Sequence, residues 1–153
     1  MDYEKEIERL KGRIACLEQT IRETSVPIIS SIVNHTILVP IVGYSGGERF
    51  ELIRTKVHEY ISKHPDVNCA IFDFSGADLD EKDHAEFDQM AIELGLLNNT
   101  LKLMDIRPIL VGFNPQIVRK IVLAGIHMDF ETYGTFRAAL KVLLKEEGRS
   151  LKK

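Results

Sequence analysis

Only two cysteines, Cys16 and Cys69, occur in 153 residues. Two thiols cannot build a disulfide framework, and two alone cannot complete a zinc site. No apolar run approaches the ~18 residues of a membrane-spanning helix. The N-terminus, Met1-Asp2-Tyr3-Glu4-Lys5-Glu6, is charged where a signal peptide would be greasy. Positive charge is not in excess: 20 Lys and Arg stand against 23 Asp and Glu, a net −3, whereas a general nucleic-acid binder presents a strongly basic face. Neither an internal repeat nor a low-complexity segment is visible. These absences predict a soluble, cytoplasmic chain with no membrane or nucleic-acid partner. A chain of this length is about one domain and buries roughly 70% of its unfolded surface, so it needs no covalent or metal staple. With 44% hydrophobic and 28% charged residues it is neither disordered nor collagen-like.

The first 25 residues carry the clearest pattern. Tyr3, Ile7, Leu10, Ile14, Leu17 and Ile21 are spaced 4, 3, 4, 3, 4, which is a heptad seam. With Ile7 at position a, Ile14 and Ile21 are also a residues, and Leu10 and Leu17 are d residues. β-Branched a residues with Leu at d favour a parallel two-stranded coil. In that register Glu6 (g) faces the partner's Lys11 (e) and Arg13 (g) faces its Glu18 (e), both attractive. A strict a/d stripe is narrower than the face of a helix lying on its own domain, which favours a homodimer. Gly12 and Cys16 fall outside the seam.

After Ser25-Val26-Pro27 ends that helix, β-rich runs Ile28–Val33 and Thr36–Val42 flank a two-residue turn at Asn34-His35 and predict a hairpin. Pro40 suggests an edge or a bulge. A loop, Gly43 to Gly47, leads into a helix over Glu48–Lys63. Cys69–Phe74 predicts a buried central strand, and Lys82–Asn98 a helix. Ile109–Val111 is a short strand, and Asn114-Pro115 opens a helix running to Ala124 and closed by Gly125. Met128–Phe130 predicts a short strand, and Thr135–Glu147 a last helix ended by Gly148. This order predicts an α/β fold with a mostly parallel sheet. The expected organisation is a dimerising helix at 1–25, one domain at 26–147 and a basic tail at 148–153.

Chemistry-bearing motifs are weak. Gly43 to Arg49 (GYSGGER) enters a helix as a phosphate-holding loop does, but lacks its Gly-Lys-Ser/Thr ending; Ser45 would serve as a helix cap. Residues 73–88 hold Asp73, Asp78, Asp80, Glu81, Asp83, Glu86 and Asp88 against Lys82 alone. Their spacing does not match a calcium loop, and acids suit a helix N-terminus, so no metal site is assigned. The five histidines form no metal or catalytic motif. Ser75 lacks a Gly-x-Ser-x-Gly elbow, and Cys69 reads as a small core residue. No nucleophile, base and orienting group assemble, so no catalytic residue and no cofactor are predicted.

Several stretches together resemble the STAS domain (the sulfate-transporter and anti-sigma-factor-antagonist module), and within it the RsbR/RsbS-type proteins of the stressosome. They are Ser25-Val26-Pro27-Ile28-Ile29; Ile37 to Gly43 with Glu48-Arg49; Ile71-Phe72-Asp73-Phe74-Ser75-Gly76, similar to a D-[IL]-[ST]-G strand end; and Gly112 to Ile117 with Leu123 to Ile126, similar to G-I-R-P-E-I…L-G-I. The resemblance covers about Ser25 to Leu144. It implies a four-to-five-stranded, mostly parallel sheet with helices mainly on one side, preceded here by a coiled-coil helix like the RsbR linker with no sensor domain ahead of it. It also implies a non-enzymatic role: docking other STAS proteins and a kinase of the RsbT type or an anti-sigma factor, with Ser or Thr phosphorylation retuning the partner.

The positions that resemble the family's phosphosites depart from it. One, an Asp-Ser/Thr pair at the start of the second helix, falls on Glu81-Lys82; the other falls on Lys120. Lysine cannot accept phosphate from such a kinase, and it places a positive charge where phosphate brings about −1.5 to −2. The Arg of G-I-R-P is Asn114, and an acid of the loop before the first helix is Gly46. Ser75 is the residual phosphosite. The expected docking surface is Ser75 to Glu86 with Asn114 to Lys120, through Asp78, Asp80, Glu81, Lys82, Asp83, Asn114, Gln116 and Lys120. The alternative is a small-ligand or nucleotide-binding domain using Gly43–Gly47 or the carboxyl edge of the sheet.

Overall fold

In a computed structural model, residues 2–24, 26–44, 47–79, 82–125 and 130–148 are described. Helix α1, Tyr3–Thr24, comes first. Strands β1 (Ile29–Ser30), β2 (Thr36–Pro40) and β3 (Gly43–Tyr44) precede helix α2 (Gly47–Lys63). Then follow β4 (Cys69–Asp73), β5 (Ala77–Asp78), α3 (His84–Leu103), β6 (Arg107–Val111), α4 (Pro115–Leu123), β7 (Glu131–Tyr133) and α5 (Phe136–Glu146).

The main sheet runs β1-β2-β4-β6-β7. β1 is antiparallel to β2; the other pairings are parallel. Because successive strand residues point to opposite faces, the sheet carries two cores. Ile37, Val39, Ala70, Phe72 and Leu110 meet α2, α3 and α4 through Phe50, Ile53, Val57, Phe87, Met90, Leu94, Ile117 and Ile121. Cys69, Ile71, Ile109 and Val111 meet α5 through Ala139, Leu140, Leu143 and Leu144. Three helices on one face and one on the other is the predicted α/β arrangement.

Several elements differ from the sequence reading. The turn at Asn34-His35 forms: Thr36 N–H donates to Val33 C=O (3.3 Å) and His35 has φ 63°. β1 keeps only Ile29–Ser30 of the longer run expected, because the chain bends toward that turn. Pro40 does not mark an edge: β2 lies between β1 and β4. β1 reaches only Ile37 and Leu38, so at Pro40 the β1 side has no pairing to lose. α3 begins after Asp83, whose side chain caps it, rather than at Lys82, and it continues to Leu103 because Leu97 and Leu101 extend its buried face past Asn98. The last strand is Glu131–Tyr133, whose Thr132 and Tyr133 pair with Leu110 and Val111. Of the expected Met128–Phe130 strand, Phe130 lies outside any strand, and Met128 lies outside the described residues.

Candidate functional site

The carboxyl ends of β4 and β6 lie side by side, as open parallel sheets place their clefts, and the sequence makes a tight knot there. Asp73 Oδ1 accepts a hydrogen bond from Ser75 N–H at 2.9 Å. Phe74 N–H donates to Val111 C=O (2.8 Å), and Ala77 N–H donates to Phe74 C=O (3.0 Å), closing a turn. Gly112 packs directly on this turn with φ +89°; a Cβ there would stand 2.4 Å from Ser75 N and 2.7 Å from Asp73 Oδ1. Phe74 and Phe113 stack with ring centres 4.7 Å apart.

A second, two-stranded ladder braces the same end. Gly43 and Tyr44 pair with Ala77 and Asp78 in parallel, while Ile41 N–H donates to Asp73 C=O (2.8 Å) and Gly43 N–H to Gly76 C=O (2.9 Å). The start of the glycine-rich GYSGGER segment is therefore committed to strand pairing at Gly43–Tyr44. Ser45 and Gly46 lie outside the described residues, as do Asp80 and Glu81.

The two helix starts close the site. Asp83 caps α3, its Oδ1 accepting from Glu86 N–H at 2.8 Å. Asn114 caps α4 in the same way for Ile117 N–H, at 2.9 Å, with Pro115 in the first turn. Both caps satisfy amide donors that the helix leaves open. His84 Nε2 lies 2.8 Å from Ala124 C=O, tying the first residue of α3 to the end of α4. Ala124 N–H in turn donates to Lys120 C=O at 3.0 Å, so Lys120 sits one turn from that tie.

Ser75, Asp78, Asp83, Asn114, Gln116 and Lys120 are exposed on these turns and helix ends. Lys82 is not: it is 8% exposed, although the sequence reading placed its side chain on the docking surface. Burial pushes its ammonium below the ordinary lysine value, while Glu86, Asp78 and Asp83 pull it back up. The acids of this segment thus act partly as counter-charges to a buried cation. The seam residues Tyr3, Ile7, Leu10, Ile14 and Leu17 are all exposed; the Ile21 side chain lies outside the described residues.

Two features escaped the sequence reading. Beside β6 and β7 a cavity of ≈ 630 Å³ is lined by Leu110, Phe113, Val118, Ile121, Phe130 and Thr132, among others. At the opposite, amino end of β6, Arg107 binds both carboxylate oxygens of Glu131 (2.6 Å each) and reaches Glu146 (2.7 Å). Tyr133 Oη donates to Glu131 (2.7 Å). The guanidinium holds Glu131 and Glu146 below the usual carboxylate range. Burial pushes the Cys69 thiol on the neighbouring strand up to about 11. The two carboxylates lie 24 and 39 residues from Arg107 in sequence, which is why no local motif announces them. No group of three potential metal ligands occurs among the described residues, and no helix of the described residues is long and apolar enough to cross a membrane.

No protein-family model and no curated protein matches the chain. Solved structures do. An RsbS variant from Moorella thermoacetica superposes with a TM-score of 0.62 at 15% identity, over 82% of this chain and 99% of that one. The anti-sigma factor antagonist SpoIIAA in its unphosphorylated form gives 0.51 at 18% identity, over 77% and 96%. A chain from the stressosome, described as a signal integration and transduction hub, gives 0.50 at 18% identity, over 80% and 99%. At these identities the likeness establishes the fold, and that fold is the SpoIIAA-like STAS fold.

Proposed function

We propose that this chain is a non-enzymatic regulatory docking module of the anti-sigma-factor-antagonist kind, of RsbR type, working in the cytoplasm in a stressosome-like assembly or a partner-switching pathway. The observation that carries the reading is the construction of the carboxyl end of the sheet within a STAS fold. Two short turns, two capped helix starts and a histidine tie hold Ser75, Asp78, Asp83, Asn114, Gln116 and Lys120 on exposed backbone fixed by hydrogen bonds. Such a surface is preorganised, which lowers the cost of binding a protein partner. Its partners are other STAS proteins and an RsbT-type kinase or an anti-sigma factor.

The module is constitutive at the two positions where the family resemblance places phosphorylation. Lys82 and Lys120 offer no hydroxyl, and the buried Lys82 ammonium with its acidic collar is a fixed charge arrangement in place of a switched one. The test is incubation with an RsbT-type kinase and ATP, read by intact mass. No phosphate is expected; stoichiometric phosphate would overturn the reading, and mapping to Ser75 would identify the residual site.

The cavity beside β7 favours the second reading, a small-ligand site at the sheet's carboxyl edge. Among the described residues its lining is mainly apolar and carries no lysine or arginine, so it suits an apolar ligand better than a nucleotide. Saturable binding of nucleoside triphosphates by calorimetry would favour that reading in its nucleotide form over the docking one.

A further inference from the structure

Among the described residues, helix α1 presents an apolar stripe that the chain leaves exposed from Tyr3 to Leu17. Every described side chain from Asp2 to Glu18 is exposed, and Tyr3, Ile7, Leu10, Ile14 and Leu17 are between 43% and 69% exposed. The helix runs for 22 residues, about 33 Å at 1.5 Å per residue. An isolated helix in water is marginal, and most helical stability comes from packing an apolar face. Among the described residues the body does not supply that packing to residues 3–18, so a partner must.

The stripe specifies what the partner is. Its period is seven residues, so the seam matches another helix of the same period rather than a flat surface. Ile at a and Leu at d select two parallel strands. The flanks agree: in a parallel register Arg13 at g meets the partner's Glu18 at e, and Glu6 meets Lys11. Within one chain Glu6 is held by Arg9 at 2.6 Å, so the Arg13–Glu18 pair is the cleaner discriminator. We infer that the occupant of this stripe is a second copy of the same chain, joined in register through a parallel two-stranded coil over α1. The inference does not depend on what the body docks.

Sedimentation equilibrium of the full chain tests it. Wild type is expected at twice the 17.4 kDa chain mass, and Ile14→Asp, which buries a carboxylate at an a–a′ contact, is expected at the chain mass with the body's near-ultraviolet signal unchanged. A monomeric wild type at high micromolar concentration, or a dimeric Ile14→Asp, overturns the proposal. A second pair of variants leaves the apolar seam untouched. Arg13→Glu alone and Glu18→Arg alone each set like charges across both flanks, and each is expected to weaken self-association roughly tenfold. Mixed, they restore both attractions and form the heterodimer in preference to either homodimer; a statistical mixture refutes the register. Spin labels on Lys5→Cys in a Cys16→Ser background read the orientation. Parallel chains hold the two labels at one level, whereas an antiparallel pair separates them by roughly 20 Å along the axis and refutes the parallel arrangement.

Discussion

Replacing Gly112 with alanine tests the geometry of the site at its tightest point. The cost has two parts that can be separated. A left-handed backbone costs a residue with a Cβ roughly 1–2 kcal/mol, and Gly112 sits at φ +89°. The new methyl would also stand 2.4 Å from Ser75 N and 2.7 Å from Asp73 Oδ1, closer than non-bonded atoms tolerate. Relief requires moving the Asp73–Ser75 turn, with loss of a hydrogen bond worth about 1 kcal/mol and of the Phe74–Phe113 stack, worth about 0.5–1.5 kcal/mol. The sum is about 2.5–4.5 kcal/mol, or roughly 5–18 °C in Tm for a chain of this size. Gly148→Ala is the matched control: it shares the left-handed backbone, φ +72°, and its Cβ meets nothing within 4 Å. It should cost only the backbone part, roughly 1–2 kcal/mol. Urea unfolding followed by circular dichroism measures both. A Gly112→Ala cost no larger than that of Gly148→Ala would show that the turn does not bear on this residue, and the account of the site would fail.

The Arg107 cluster makes an acid-side prediction. Glu131 titrates lower in the folded chain than its ordinary value because Arg107 and Tyr133 hold its anion. Its contribution is therefore complete above the unfolded value of about 4.3 and fades as the pH falls through the lower folded value. Glu131→Gln should cost about 1 kcal/mol near neutrality for a partly exposed pair, with the gap from wild type closing in acid; a gap constant from pH 7 to pH 3 contradicts this. Thiol chemistry offers another check: with Cys69 buried and pushed up to about 11, iodoacetamide at pH 8 should add one group, at the exposed Cys16, and a second only in urea. Two adducts on the native chain, counted by mass, would argue against the buried position of Cys69.

Much of the fold was legible because its signals are local and periodic. The α1 helix, the Asn34-His35 turn, the Asn114-Pro115 and Thr135 helix starts and the Gly148 stop are each set by neighbouring residues, and each lies where expected. The misreadings came where tertiary contacts decide. Asn98-Asn99-Thr100 looks like a break, yet Leu97 and Leu101 carry α3 across it by packing into the core. Phe130 looks like a strand residue, but β6 pairs with Glu131–Tyr133 instead. Of the candidate site, the strand-end turn and the helix caps were visible as Asp73-Phe74-Ser75-Gly76, Asp83 and Asn114. The burial of Lys82 was not, because a charged residue in an acidic run looks solvated until the desolvating neighbours are known. The Gly112 contact joins residues about forty apart, beyond the reach of any local pattern.

Both margins of the main sheet are brief. Among the described residues β1 is two residues long and β7 three, so these strands offer little unpaired backbone along either side. Strand addition draws its affinity from a row of main-chain hydrogen bonds, and these margins provide one or two. On the docking reading proposed above, a protein partner would be recognised by side chains rather than by strand addition, which ties specificity to residue identity, and short margins also disfavour edge-to-edge stacking of copies.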